Sequence, residues 1–311
     1  MYYPEGFVTT NKHLHTVIPA LLFRTNYKYV NREKITLSDG DFVHLDWGQK
    51  RSKKLVLLLH GLESSADQFY MRHTAQYLET KGFSLVSLNY RGCSGIPNTL
   101  FKGYHSGCSN DLREVVQFLE YNYNFEELYL LGFSLGGNIV LKYLAENTHQ
   151  PFIKKGLAFS APIDLKTSSI QIGEVFWGIY EKRFMEKLKK GLALKALLHP
   201  KESVDLDTLR RMKKFVEFDD YYTAPANGFL NAEDYYKQAS SLYQLDQIET
   251  NSLLISAYDD PFLSPKCYPQ HISSKAFNTE YHNKGGHLGF IKNLKKQQCW
   301  YPERAASFFM Q

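Results

Sequence analysis

The chain has 311 residues, 43% of them hydrophobic and 22% charged, with a formal net charge of +5. That balance belongs to a water-soluble globular protein with a large core, and it excludes a disordered or fibrous chain. So modest a positive charge gives no ground for nucleic-acid binding, and no run approaches the ~18–20 apolar residues of a membrane helix.

Residues 1–30 read as irregular, and Met1–Gly6 lacks the basic and apolar regions of a signal peptide. A hairpin follows: Arg32 to Leu37, a Ser-Asp-Gly-Asp turn at 38–41, then Phe42 to Trp47. Leu55 to Leu59 is apolar without alternation, as in a strand covered on both faces. It ends in His60-Gly61-Leu62-Glu63, and a helix is expected from about Asp67 to Lys81. Phe83 to Leu88 is a further strand, followed by a helix over about Asn110–Tyr123. Leu128 to Leu131 is a short buried strand that turns through Gly132-Phe133-Ser134-Leu135-Gly136 into a helical face of Ile139, Val140, Tyr143 and Leu144. Ile153 to Phe159 is one more strand. The rhythm then breaks, for 163–248 carries helical patterns and aromatic clusters without a central strand. Alternation resumes with Ser252 to Ala257, a helix near 265–273, Ala276 to Tyr281, and a last helix near Pro302–Met310. The expected architecture is one parallel α/β sheet over 1–311, interrupted by a helical cap at 163–248.

Strand, sharp Gly-x-Ser-x-Gly turn and helix form the setting of a nucleophile elbow, with Ser134 at its apex. A serine hydroxyl needs a base, and the base needs an orienting acid. In a parallel sheet these belong on loops at the C-terminal strand ends. Two late loops supply them: Asp259-Asp260-Pro261-Phe262, and His282 to His287. Asp260 is selected over Asp259 by its spacing from the strand end and by Pro261, which holds it out of helical geometry. His287 is selected over His282 because two glycines let its loop fold back. The order Ser134…Asp260…His287 is that of the α/β-hydrolases. The oxyanion donors are expected to be the backbone amides of Leu62 and Leu135. His60 is read as a brace, Glu63 as the partner of a nearby cation, and Arg91 as a structural loop residue or a carboxylate clamp. Cys93, Cys108, Cys267 and Cys299 are scattered, without metal or redox spacing, as in a reduced cytoplasmic protein. No metal and no cofactor are expected.

The chain resembles the YheT-like α/β-hydrolases, a branch of the abhydrolase-domain esterases. The likeness is carried by Asn11-x-His13-Leu14-x-Thr16, Asp39-Gly40-Asp41-Phe42 with Asp46-Trp47, His60-Gly61-Leu62-Glu63 and Asn89-x-Arg91-Gly92-Cys93-Ser94-Gly95. It continues through Tyr104-His105-Ser106-Gly107, Gly132 to Asn138, Phe218-Asp219-Asp220 with Thr223-Ala224-Pro225, Asp234-Tyr235-Tyr236, Asp259 to Phe262, and Gly285-Gly286-His287. His15 stands where that family usually has glutamine. The resemblance implies carboxylic-ester hydrolysis, with Ser134, Asp260 and His287 at the triad positions and short- to medium-chain acyl esters as substrates. Acyl transfer or thioester hydrolysis would use the same groups, and a non-catalytic ligand-binding relative is the reading of another class.

Within the expected cap, 181–216 holds eleven Lys/Arg against five Asp/Glu, a local excess of +6. Phe184, Met185, Leu188, Leu192, Leu194, Leu197 and Leu198 are interleaved as one apolar helical face. Such a stretch either closes a pocket or rests transiently on an anionic membrane surface.

Overall fold

The computed structural model describes residues 11–146 and 150–311. Residues 1–10, where no signal peptide is read, lie outside them. Eight strands form one sheet: β1 (Asn31–Thr36), β2 (Phe42–Trp47), β3 (Lys54–Leu59), β4 (Ser84–Asn89), β5 (Glu127–Phe133), β6 (Ile153–Phe159), β7 (Ser252–Ala257) and β8 (Phe277–His282). Their order is β1-β2-β4-β3-β5-β6-β7-β8. β2 runs antiparallel to both β1 and β4, and every later pairing is parallel.

Alternate side chains of a strand point to opposite faces, so an unbroken apolar strand feeds two cores at once. In β3, Leu55, Leu57 and Leu59 join Val115, Val116 and Leu119 in one core. Val56 and Leu58 join Met71, Leu78, Tyr301 and Phe309 in the other. The covering helices are α2 (Phe69–Thr80) and Tyr301–Met310 on one face, and α3 (Ser109–Asn122) and α4 (Leu135–Glu146) on the other.

Two expectations need correction. The supposedly irregular start contains helix α1 (Lys12–Leu22), capped by Asn11, whose side chain accepts from the amides of His13 and Leu14. Pro19 lies inside it and disguises it, because a proline there removes a donor from the helix ladder. The helix expected near 265–273 is only the turn Pro265–Cys267. Pro269 lacks the amide that would extend it and disfavours helical geometry at Tyr268.

Between β6 and β7 the chain runs through α5 (Leu165–Glu174), α6 (Ile179–Leu198) and a series of shorter helical turns up to Gln247, with no strand. α5 and α6 are joined by Phe176, Trp177 and Gly178, three successive residues in the left-handed region. The apolar set expected to share one face of α6 divides. Met185 and Leu192 are buried, with Phe184 and Leu188 packed beside them, whereas Leu194, Leu197 and Leu198 are exposed. At 100° per residue, two steps past Leu192 turn the helix about 200°, so Leu194 leaves the face that holds Met185 and Leu192.

Candidate active site

β5 ends at Phe133, α4 begins at Leu135, and Ser134 makes the corner between them with φ at 53°. Left-handed backbone is costly for a non-glycine residue and is held here by its surroundings. The Ser134 amide donates to the Phe159 carbonyl of β6 at 2.8 Å. A Cβ on Gly136 would strike the Leu59 carbonyl oxygen, so only glycine lets the start of α4 lie against the end of β3. The Leu135 amide, first in α4, has no partner in the helix ladder.

The loops after β7 and β8 meet this corner. His287 Nε2 lies 2.9 Å from Ser134 Oγ, and His287 Nδ1 lies 2.9 Å and 3.1 Å from the two Asp260 oxygens. Asp260 is buried, and its Oδ1 also accepts from the Phe262 amide at 2.8 Å. The Phe262 ring covers the His287 imidazole, with centroids 4.2 Å apart. The two competitors lie elsewhere. Asp259 Oδ1 accepts from the Gly286 amide at 2.9 Å, holding the loop that carries His287. His282 Nε2 lies 2.9 Å from Glu280, and its ring packs on Trp300.

The loop after β3 lies on the other side of Ser134. The Gly61 amide donates to Tyr70 Oη at 2.9 Å, and the Glu63 amide to Tyr104 Oη at 2.8 Å. Of these three consecutive amides, only that of Leu62 has no partner among the described residues. His60 is buried, with Nδ1 2.8 Å from the Gly61 carbonyl, and burial pushes its pKa down to about 4, so it braces the loop as a neutral ring. Glu63 differs from expectation. Its carboxylate accepts from Tyr104 Oη at 2.8 Å, while Lys187 Nζ binds its backbone carbonyl at 2.9 Å. Arg91 is a buried structural residue, held by both Asp111 oxygens at 2.7 Å and by Asp39 and Asp41 at 2.8 and 3.1 Å.

Ser134, Leu135, Leu62 and His287 line a cavity of about 540 Å³. Most of its wall comes from α5, α6 and the turns after them, including Ile172, Phe184, Leu188 and Phe218. Among the described residues no cluster of three or more His, Cys, Asp or Glu could hold a metal. The four cysteines are free thiols.

Three supporting groups escaped the reading of the sequence. Thr16 Oγ1, on α1, accepts from the His287 amide at 3.0 Å, so the N-terminal helix positions the histidine. Tyr70 and Tyr104 occupy the amides on either side of Leu62. The Asn11-x-His13-Leu14-x-Thr16 motif was the signal for the first; single tyrosines gave none for the others.

Residues 54–294 match the family described as the alpha/beta hydrolase fold. The Escherichia coli (strain K12) protein named "Putative esterase YheT" is 32% identical over 96% of this chain and 90% of its own. The monoacylglycerol lipase of Saccharomyces cerevisiae is 30% identical over 83% of this chain, which spans 59% of that protein's length. Among solved structures, the esterase Pf2001 of Pyrococcus furiosus superposes with a TM-score of 0.61 at 17% identity, covering 99% of this chain and 98% of that one, a likeness of fold. The chain thus belongs to the α/β-hydrolase family, in the branch that includes YheT.

Proposed function

We propose that the protein hydrolyses carboxylic esters with Ser134 as nucleophile, His287 as general base and acid, and Asp260 as the carboxylate that orients His287. The observation that carries this reading is the continuous hydrogen-bonded chain from Asp260 through His287 to Ser134, opening on a largely apolar cavity. His287 Nε2 takes the Ser134 proton as Oγ attacks the ester carbonyl, and the amides of Leu62 and Leu135 receive the oxyanion. His287 then gives the proton to the departing alkoxide, leaving an acyl-serine. Water attacks that acyl group, its proton passing to His287 and back to Ser134 as the acid departs. The buried carboxylate keeps the imidazole in the tautomer with its Nδ1 proton toward Asp260. The named activities of YheT and the yeast lipase support ester substrates, and the cavity suits short- to medium-chain acyl groups.

Acyl transfer to another alcohol, or thioester cleavage, would use the same groups with a different acceptor or leaving group. The test is a p-nitrophenyl ester panel of graded acyl length, with fluorophosphonate labelling. Ser134→Ala is expected to abolish labelling and to lower turnover by on the order of 10⁴–10⁶. Undiminished turnover in that variant refutes the mechanism. An unlabelled chain that hydrolyses no ester is a binding protein.

A further inference from the structure

The cavity has one polar corner that the reaction above does not use. Asp219 and Tyr236 belong to two stretches of the family-like sequence, and both line the cavity with Thr223, Tyr235 and His105. Asp219 opens the single wide helical turn Asp219–Thr223, a form of helix frequent at functional sites. Its Oδ2 accepts from Tyr236 Oη at 2.7 Å. The residue keeps a partly accessible surface although protein shields it from bulk water, because it opens on the cavity. Among the described residues the charged neighbour that acts on it is Asp220, not a cation, and burial raises its pKa to about 6. At neutral pH a mostly ionised carboxylate therefore faces a largely apolar cavity, with the hydroxyls of Thr223 and Tyr236 as its side-chain donors. A carboxylate has room for several donors, and leaving that capacity unused in a buried place is unfavourable.

His105 supplies the complement. Its Nδ1 accepts from the Gly107 amide at 3.2 Å, which puts the ring proton on Nε2. Burial pushes its pKa down to about 3, so the ring is neutral, with one donor to offer. That Nε2–H has no protein partner among the described residues. Tyr235 connects the two groups, its ring 5.8 Å from that of His105 and 5.2 Å from that of Tyr236. The corner thus presents an acceptor and a donor on the wall of one cavity. A hydroxyl group, which both donates and accepts, has the chemistry to pair with either.

We propose that Asp219 and His105 form a subsite for a hydroxyl group carried by the ester, in a part of the substrate away from the bond that is cleaved. This rests on the esterase reading and specifies what that site selects. A site built to hydrogen-bond a substrate hydroxyl rejects the analogue that lacks it, because its own polar groups are then left unpaired.

The test compares isosteric pairs in which a hydroxyl is replaced by a methyl group. One pair, 2-hydroxyethyl and propyl butyrate, carries the difference on the alcohol; the other, methyl 3-hydroxybutyrate and methyl 3-methylbutyrate, on the acyl part. The unsubstituted chain is expected to favour the hydroxylated member of one pair by about 10- to 100-fold in kcat/KM. The pair that shows it tells which half of the ester occupies the corner. Each variant is read as the ratio within a pair, so changes in overall turnover cancel. Asp219→Asn and His105→Phe should each reduce the ratio by about tenfold. Binding of the same esters to Ser134→Ala, followed by ligand-observed NMR, reads the preference without turnover. A dead esterase that keeps the preference upholds the subsite and refutes the proposed function. Equal kcat/KM within both pairs, or a preference that survives both substitutions, overturns the subsite.

Discussion

The strand-end loops and the helical stretch between β6 and β7 face each other across one cavity, but they are built by opposite means. Ser134, Asp260 and His287 are each fixed by several independent contacts. Ser134 is tied to β6 through its amide, Asp260 accepts from both Phe262 and His287, and His287 is held by Thr16, Phe262 and Asp260. Part of the facing wall is joined to the body by long lysine side chains. Lys187 bonds to Glu63, and Lys195 to Leu100 and Lys102. Outward it shows apolar surface, with Trp177 89% exposed. On the proposed function, the chemistry that tolerates little displacement sits on the over-determined side, and recognition falls to the facing wall.

The sharpest way to break this contrast is to swap the roles of two adjacent carboxylates. Asp260→Asn is expected to lower kcat/KM by about 10³–10⁴, because an amide cannot hold the reactive tautomer of His287. Asp259→Asn is expected to cost under about tenfold, since an Asn oxygen can still accept from the Gly286 amide. Both variants are measured on one p-nitrophenyl ester. The reverse ranking makes Asp259 the orienting acid.

Acidification should act mainly on the body. Burial pushes the pKa of His60 and His73 down to about 4 and that of His105 to about 3. Each is neutral in the fold and takes up a proton once unfolded below about pH 6.5. Stability is therefore fully present above 6.5 and is lost as pH falls toward 4, by on the order of 1–3 kcal/mol for each histidine. Asp219, raised to about 6, and Glu63, also raised by burial, work the other way. Tm is expected to fall steadily between pH 6.5 and 4, and His73→Phe to remove part of that slope. A Tm constant over that range contradicts the neutral, buried state of the three histidines.

Two glycines test the contrast by volume. Gly136→Ala, which would drive a methyl into the Leu59 carbonyl, should destabilise by about 1–3 kcal/mol or more. Gly191→Ala, within α6 and with open space at its Cβ, should stabilise by up to about 1 kcal/mol. Urea melts of both variants decide it, and equal losses would mean that α6 is as tightly enclosed as the elbow.

The same difference governs what could be read before the structure. The parallel strands and the elbow were legible because their signals are local: unbroken apolar runs such as Leu55 to Leu59, and a turn of glycines around Ser134. The order of the three polar residues singled out Asp260 and His287, which the fold brings to Ser134. α1 was missed because Pro19 breaks its pattern, although its Asn11 cap was in view. The division of the apolar residues of α6 was missed because an uneven spacing yields one face only if the helix phase is ignored. The roles of Thr16, Tyr70 and Tyr104 depend on contacts between distant stretches, which no local pattern encodes.

The smallest expected effect concerns the outer surface of α5 and α6. Trp177 and the exposed Ile170, Phe176 and Ile179 stand at the turn between the two helices, beside the basic start of α6. The helices that bear them also line the cavity through Ser168, Ile172 and Phe184. If this surface rests on anionic lipid, the cations that matter are not those already engaged. Lys187 and Lys189 each bond a backbone carbonyl and Lys190 lines the cavity, whereas Lys182 and Arg183 are exposed and have no bond among the described residues. Replacing these two by glutamine should weaken binding to phosphatidylserine vesicles by about fivefold per residue, at ~1 kcal/mol for each cation near the surface. Turnover of a soluble ester should change little. Binding should also fall with salt, since exposed charges are screened beyond about 8–10 Å, and Trp177 fluorescence should shift to the blue as the ring enters the interface. Neutral vesicles serve as the comparison, because attraction that depends on the basic residues disappears with the anionic lipid. An unchanged emission spectrum and no cosedimentation at low salt would leave α5 and α6 as the wall of the cavity alone.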